Sequence, residues 1–215
     1  MTERPNLLAG EDLPAEPRQK RSLDKRARLK RAALELFGER GYERTSIEDI
    51  AGRAKLAIGG FYLHYRSKRQ LLLALMDELP EGLSRLKLEP AQGSNVRSGL
   101  RALLSAAFRQ DLRFLGAHRA WQEAVLSDAD LARLDDEIHA WTTARVAALF
   151  GALQRAPGAR EQVDIDGLAR AMDLFFWSLL GRAMRMRKVE LDSWINSASH
   201  LIYHGLFQDD PAELR

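Results

Sequence analysis

The chain has 215 residues, 46% of them hydrophobic, so it can bury a sizeable core; it has no cysteine, which excludes disulfides, thiolate metal sites and any cysteine nucleophile or redox switch. No apolar run reaches the roughly 18 residues that a membrane-spanning helix needs, and the N-terminus has no apolar signal core, so a soluble cytoplasmic protein is expected. Residues 18–68 carry 14 Lys and Arg against 6 Asp and Glu, net +8, whereas residues 69–215 carry 18 against 20, net −2, so the end suited to a polyanion is the N-terminal one.

Residues 1–17 are proline-bearing, slightly acidic and aperiodic, and residues 1–21 are expected to form a disordered tail. From Arg18 to Arg31 there are eight basic residues and one acid, Asp24, dense enough for an arm along a polyanion, although a solvated helix face reads the same way. Leu29, Ala32, Ala33, Leu36 and Phe37 then form a helical stripe, and Gly41 stands where a helix ends. Thr45 and Glu48 have capping-box spacing, which places a helix start at Thr45. Ile47, Ile50, Ala51 and Ala54 give that short helix one apolar face. A second box at Ser67 and Gln70 leaves room between for a turn and a compact helix over Ala57 to His64, which is helix-turn-helix spacing. Gly59 and Gly60 each cost roughly 1 kcal/mol relative to alanine in a helix interior, and close approach to another surface would account for them. Phe61 is expected inside, with Tyr62, His64 and Tyr65 as donors at the rim, suited to phosphate.

The positions Ala33, Leu36, Phe37, Gly41, Tyr42, Thr45, Ile50, Ala51, Gly59, Phe61, Tyr62, Tyr65, Ser67 and Lys68 resemble the DNA-binding domain of the TetR family of transcriptional regulators, over residues 25–75. The resemblance implies that Thr45 caps the first helix of the motif and touches a phosphate. It places Gly60, Tyr62 and His64 on the recognition helix and Lys68 on a phosphate at the start of the next helix. Two positions depart from the family. Lys55 stands where the turn usually has glycine, and a non-glycine residue with positive φ is uncommon; it either contacts phosphate or is simply solvated. Ala57 stands where a hydroxyl usually caps the recognition helix. The expected DNA-binding set is thus Thr45, Lys55, Ala57, Gly59, Gly60, Tyr62, His64, Tyr65 and Lys68.

Beyond the motif, Leu71, Leu72, Leu75, Met76 and Leu79 make an apolar helix stopped by Pro80, which the resemblance makes the lever of regulation. Residues 89–94 (EPAQGS) read as a loop, and helices are expected near 95–114, 117–126, 129–155, 165–187 and 191–207, with RAPGAREQ (155–162) as a break. No strand-like alternation appears. The expected fold is all-α: an N-terminal three-helix DNA-binding domain with a helix-turn-helix at 22–68, then a larger helical ligand-binding and dimerisation domain at 69–215.

The helix around 167–186 is apolar nearly all the way round and so must be buried on two sides. By resemblance, it and the helix after it pair with their copies in a second subunit through Trp177, Leu180, Met184, Trp194, Leu201 and Ile202; a monomeric core is the alternative. Phe108, Leu112, Arg113, Trp121, Trp141, Arg145 and Phe176 lie where the family encloses a ligand, although aromatic stripes are also ordinary core. His200 and His204 have i, i+4 spacing but no accompanying glutamate, cysteine pair or carboxylate cluster, His118 and His139 are isolated, and no nucleophile or phosphate-loop motif is present. No enzyme and no cofactor is expected. The function expected is a homodimeric, ligand-responsive regulator of double-stranded DNA, a repressor released from a palindromic operator by a small hydrophobic or aromatic effector; a helical interaction module without a specific DNA target is the alternative.

Overall fold

A computed structural model describes residues 3–15, 17–79, 96–183 and 185–208, without the side chains of 96–97 and 107–111. The fold is all-α. The described helices are α1 (Lys20–Arg40), α2 (Ile47–Arg53), α3 (Ile58–Tyr62), α4 (Lys68–Met76), α5 (Val96–Asp111), α6 (Leu115–Val125), α7 (Ala129–Leu153), α8 (Ile165–Ala183) and α9 (Lys188–Leu206), with a 3-10 turn at Leu112–Phe114. Pro80 and the loop at 89–94 lie outside the described residues. Among the described residues no helix is long and apolar enough to cross a membrane.

The chain divides into two compact units. The first joins Pro5–Glu81 to Asp111–Glu137, so α6 and the start of α7, expected in the larger domain, belong with the helix-turn-helix. Its core is built from the stripe on α1 (Leu29, Ala32, Ala33, Leu36, Phe37), Ile50, Ala51 and Ala54, Phe61, and α4 from Gln70 to Met76, all buried. Helix α6 supplies small residues to this core, and Gly116 decides how close it comes. A Cβ on Gly116 would lie 1.9 Å from the carbonyl oxygen of Leu34, so α1 and α6 cross backbone against backbone, which only glycine permits. Arg119 Nη1 donates to the Gly38 carbonyl at 2.7 Å, and Glu123 Oε2 accepts the Tyr42 amide at 2.6 Å. Both bonds satisfy backbone groups where α1 ends, at Gly41 with φ 86°.

The N-terminal segment is a correction. Instead of forming a disordered tail, it lies along α4: Leu7 is 1% exposed and its amide donates to Asp77 Oδ1 at 3.3 Å, beyond the end of the helix. At the other end, Glu11 pairs with Arg69, and Gln70 Nε2 donates to Glu11 Oε2 at 3.3 Å and to the Asp12 carbonyl at 3.1 Å. A single buried side chain among exposed and half-buried neighbours has no periodicity to betray it, so composition alone points to disorder.

The second unit contains Gly82–Gln110 and Ile138–Arg215, with the first four residues. Leu100, Phe150, Ala169, Ile202, Leu206 and Phe207 form its buried cluster. The expected break at 155–162 docks on the end of α9: Arg160 donates from its backbone to the Leu206 carbonyl at 2.8 Å, and from Nε to the carbonyls of Phe207 at 2.9 Å and His204 at 3.2 Å. These carbonyls have no partner inside the helix, so the break doubles as a C-terminal cap.

Candidate nucleic-acid interface

The motif begins one residue later than expected. Ser46, not Thr45, caps α2: its Oγ accepts the Asp49 amide at 3.0 Å, and Asp49 Oδ2 accepts the Ser46 amide at 3.2 Å. The Ser46 amide, and the Ser46 hydroxyl that donates to the same Oδ2 at 3.0 Å, hold the Asp49 carboxyl below its ordinary pKa. Thr45 is 1% exposed, with its hydroxyl donating to the Gly41 carbonyl at 2.7 Å, so it closes the turn after α1 and leaves the cap to its neighbour. Two overlapping hydroxyl–acid pairs at the same spacing, Thr45 with Glu48 and Ser46 with Asp49, cannot be ranked without the burial of Thr45.

At the turn, Lys55 has φ 55°, the left-handed conformation expected at a glycine position. The bonds that hold it come from Arg28 on α1, which donates through Nη2 to the carbonyls of Ala54 and, at 2.9 Å, Lys55. Sequence reasoning missed Arg28, because nothing local separates it from the seven other cations around it. Arg53, on α2, is held by Glu35 at 3.1 Å and Glu39 at 3.0 Å.

Helix α3 is shorter than the expected span and has no side-chain cap at Ala57. Phe61 is fully buried. Tyr65 is also fully buried, with its hydroxyl accepting from Arg26 Nε at 3.2 Å, so it is a core residue and not a rim donor. His64 is 6% exposed, and its buried Nδ1 has no hydrogen-bond partner; burial, then the nearby Arg26 and Lys25, lower its pKa. Of the three expected rim donors only Tyr62, 44% exposed, faces outward. Around it lie Lys55, Ala57, Ile58, Gly59 and Leu63, all exposed, with Gly60 half-buried.

Ser67 caps α4 by accepting the Gln70 amide at 3.0 Å, while Gln70 Oε1 accepts from the Arg66 amide at 2.9 Å instead of closing the box on Ser67. Lys68 is half-buried: its Nζ donates to the Tyr42 carbonyl at 2.7 Å and sits 4.1 Å from the centre of the Tyr42 ring. Burial lowers the Lys68 pKa and pushes the Tyr42 phenol up to about 12.

The ligand candidates divide between the units. Trp121 is fully buried, its indole donating to Asp135 at 2.7 Å, which makes it core of the first unit; Leu112 is half-buried and Arg113 exposed in the same unit. Trp141 is 6% exposed, and Arg145 and Phe176 are half-buried, in the second. The side chain of Phe108 lies outside the described residues. The second unit also has a polar centre that sequence reasoning missed. Asp173, 6% exposed on α8, is bonded to Thr142 Oγ1 at 2.6 Å, His139 Nδ1 at 2.7 Å and Trp177 Nε1 at 3.2 Å. Its i, i+4 relation to Trp177 was legible; its partners on α7 were not.

Among the dimer candidates, Trp177 is turned to Asp173 and to the His139 ring at 5.0 Å, and Leu180 and Ile202 are each 1% exposed. Leu180 and Ile202 face their own unit, a correction, while Trp177 is half-buried. Trp194, 42% exposed, and Leu201, 58%, face outward, as do Leu174 and Val189, which were not anticipated. Met184 lies outside the described residues.

The model of the family described as bacterial regulatory proteins, tetR family, matches residues 29–75. An HTH-type transcriptional repressor from Mycobacterium tuberculosis is 35% identical over 152 residues, which cover 66% of this chain and 79% of that one. The HTH-type transcriptional regulator TcmR from Streptomyces glaucescens is 30% identical over 156 residues, 69% of this chain and 66% of the relative. A fatty acid degradation regulator, FadR from Bacillus halodurans, shares the fold with a TM-score of 0.69 at 15% identity, over 87% of this chain and 96% of the other. A relative spanned over most of its length and a helix-turn-helix matched from α1 into α4 lead to one conclusion: the chain belongs to the TetR family and is a transcriptional regulator.

Proposed function

We propose that the chain is a homodimeric repressor that holds a palindromic operator and releases it when a small hydrophobic or aromatic effector binds. The observation that carries this reading is the exposed outer face of α3 within residues 18–68, a stretch of net charge +8. That face has no other work in the chain: Gly59, Tyr62 and Leu63 are exposed although they lie beside the fully buried Phe61. Lys55, Gly59, Gly60 and Tyr62 approach the duplex, while Thr45, His64, Tyr65 and Lys68 support the motif from behind. The exposed apolar side chains Leu174, Trp194 and Leu201 of α8 and α9 supply a surface for a second copy, and two-fold symmetry is what reading two half-sites about 34–36 Å apart requires. The centre at Asp173, among the apolar residues of α7 and α8, supplies the few convergent polar groups that small-molecule sites use. An effector releases the operator only by binding the two arrangements of the dimer with different affinity, and a coupling of about 1–3 kcal/mol is typical.

The test is selection of the purified chain on random double-stranded DNA at moderate salt, with its mass in solution measured alongside. Enrichment of a palindrome by a dimer supports the reading, and the enriched duplex then serves to screen effectors. A folded, soluble chain that enriches nothing would sink it in favour of an interaction module without a DNA target.

A further inference from the structure

Any group that reads a base edge by paired hydrogen bonds must be a guanidinium, ammonium, amide or carboxylate in the major groove. The outer face of α3 has none. From Ala57 to Leu63 the chain reads AIGGFYL; Phe61 is fully buried, and what faces out is Ala57, Ile58 at 42% exposure, the bare backbone of Gly59, Tyr62 and Leu63 at 68%. The imidazole next along, His64, is 6% exposed. The cations nearest this face, Lys55 before the helix and Arg66 after it, are exposed at its two ends, where phosphates rather than base edges would meet them.

Gly59 adds an independent observation. Among the described residues, and apart from its chain neighbours and its own helix backbone, no atom lies within 4 Å of where its Cβ would sit, and its φ is not positive, so neither packing nor backbone conformation asks for glycine there. The bare position beside Ile58 instead leaves room for something outside the chain to come against the backbone. The basic surroundings, net +8 over residues 18–68, identify that partner as nucleic acid.

The one apolar group on a base edge in the major groove is the thymine 5-methyl. We infer that this chain recognises its operator by thymine methyl groups packed against Ile58 and Ala57, with the flat approach allowed by Gly59, and not by paired hydrogen bonds from the recognition helix. The inference rests on the regulator reading above and adds the chemistry by which that site discriminates. The operator half-site therefore contains one or two thymines at its centre whose methyl groups carry the preference, and Ile58 is the specificity-determining residue.

The experiment uses the full chain and the duplex enriched by selection, synthesised once with thymine and once with deoxyuridine at the half-site positions. Each lost methyl is expected to weaken binding about fourfold, the equilibrium equivalent of one buried carbon. Ile58→Ala is expected to weaken binding to the thymine duplex by a similar factor and to bind the uracil duplex no worse than the parent chain does. Equal affinity of the parent chain for both duplexes would overturn the inference while leaving the regulator reading intact, and this arm needs no variant to fold. Uracil and Ile58→Ala effects that multiply independently would also overturn it, since the methyl would then be read elsewhere. A selection that enriches no sequence would remove the regulator reading and this inference with it.

Discussion

Replacing Gly59 by alanine should separate the demands of the fold from those of the DNA. A Cβ at this position meets nothing within 4 Å, and the helix it joins, Ile58–Tyr62, is short and has no side-chain cap. Substituting alanine for glycine at a compatible helical position stabilises by about 0.4–1 kcal/mol, chiefly by restricting the unfolded chain. For a protein of this size that corresponds to a rise in Tm of about 1–4 °C. On DNA the same methyl intrudes where the backbone is to lie against the duplex, and a misfit of about 1.4 kcal/mol lowers affinity tenfold. Gly59→Ala should therefore melt at or above the parent temperature and bind the selected duplex about tenfold more weakly, measured by calorimetry and by fluorescence anisotropy at one salt concentration. Unchanged affinity in a variant that melts higher would refute close approach at Gly59, and a lower Tm would refute the openness of the site.

The contact of α6 with α1 should be intolerant: Gly116→Ala places a Cβ 1.9 Å from the Leu34 carbonyl oxygen and should cost about 1–3 kcal/mol, read as a lower denaturant midpoint with an unchanged slope. Leu7→Ala should cost about 2 kcal/mol and expose residues 5–13 to limited proteolysis; parent-like stability and cleavage would mean that the segment is not docked. His64 supplies a pH dependence. Its folded pKa lies below the ordinary 6.5, so the folded state disfavours the protonated ring. Its contribution is present in full above the unfolded value and lost as pH falls through the folded one. Stability should decline on acidification below neutrality, His64→Gln should flatten that decline in chemical denaturation, and an equally steep decline in the variant would assign it to other groups.

What could be read before folding was what repeats or caps locally. The α1 stripe and the stop at Gly41 follow from residues within a few positions of one another, and the turn at Lys55 and the uncapped Ala57 stand out by the resemblance to the family. What could not be read depends on long-range burial. Tyr65 looks like a rim donor until Arg26, 39 residues earlier, is found against its hydroxyl. Leu180 looks like an interface residue on an apolar helix until its own unit is found to bury it. Thr45 and Ser46 differ only in which of them the end of α1 covers. The outer face of α3 is hidden for the complementary reason: the sequence lists polar residues there without showing that His64 and Tyr65 turn inward.

The bonds from Arg119 and Glu123 onto the end of α1, and the fit of Gly116 against Leu34, also bear on the order in which this protein can be made. A ribosome adding about 5–20 residues per second completes the helix-turn-helix and α4 roughly 3–10 seconds before it completes α6. Over that interval the groove on α1 around Leu34 and the amide of Tyr42 wait for a helix that does not yet exist. The DNA-reading unit can close only after the chain has passed through a stretch of the second unit, so the two are synthesised interleaved and a fragment ending at the motif would lack one of its own walls.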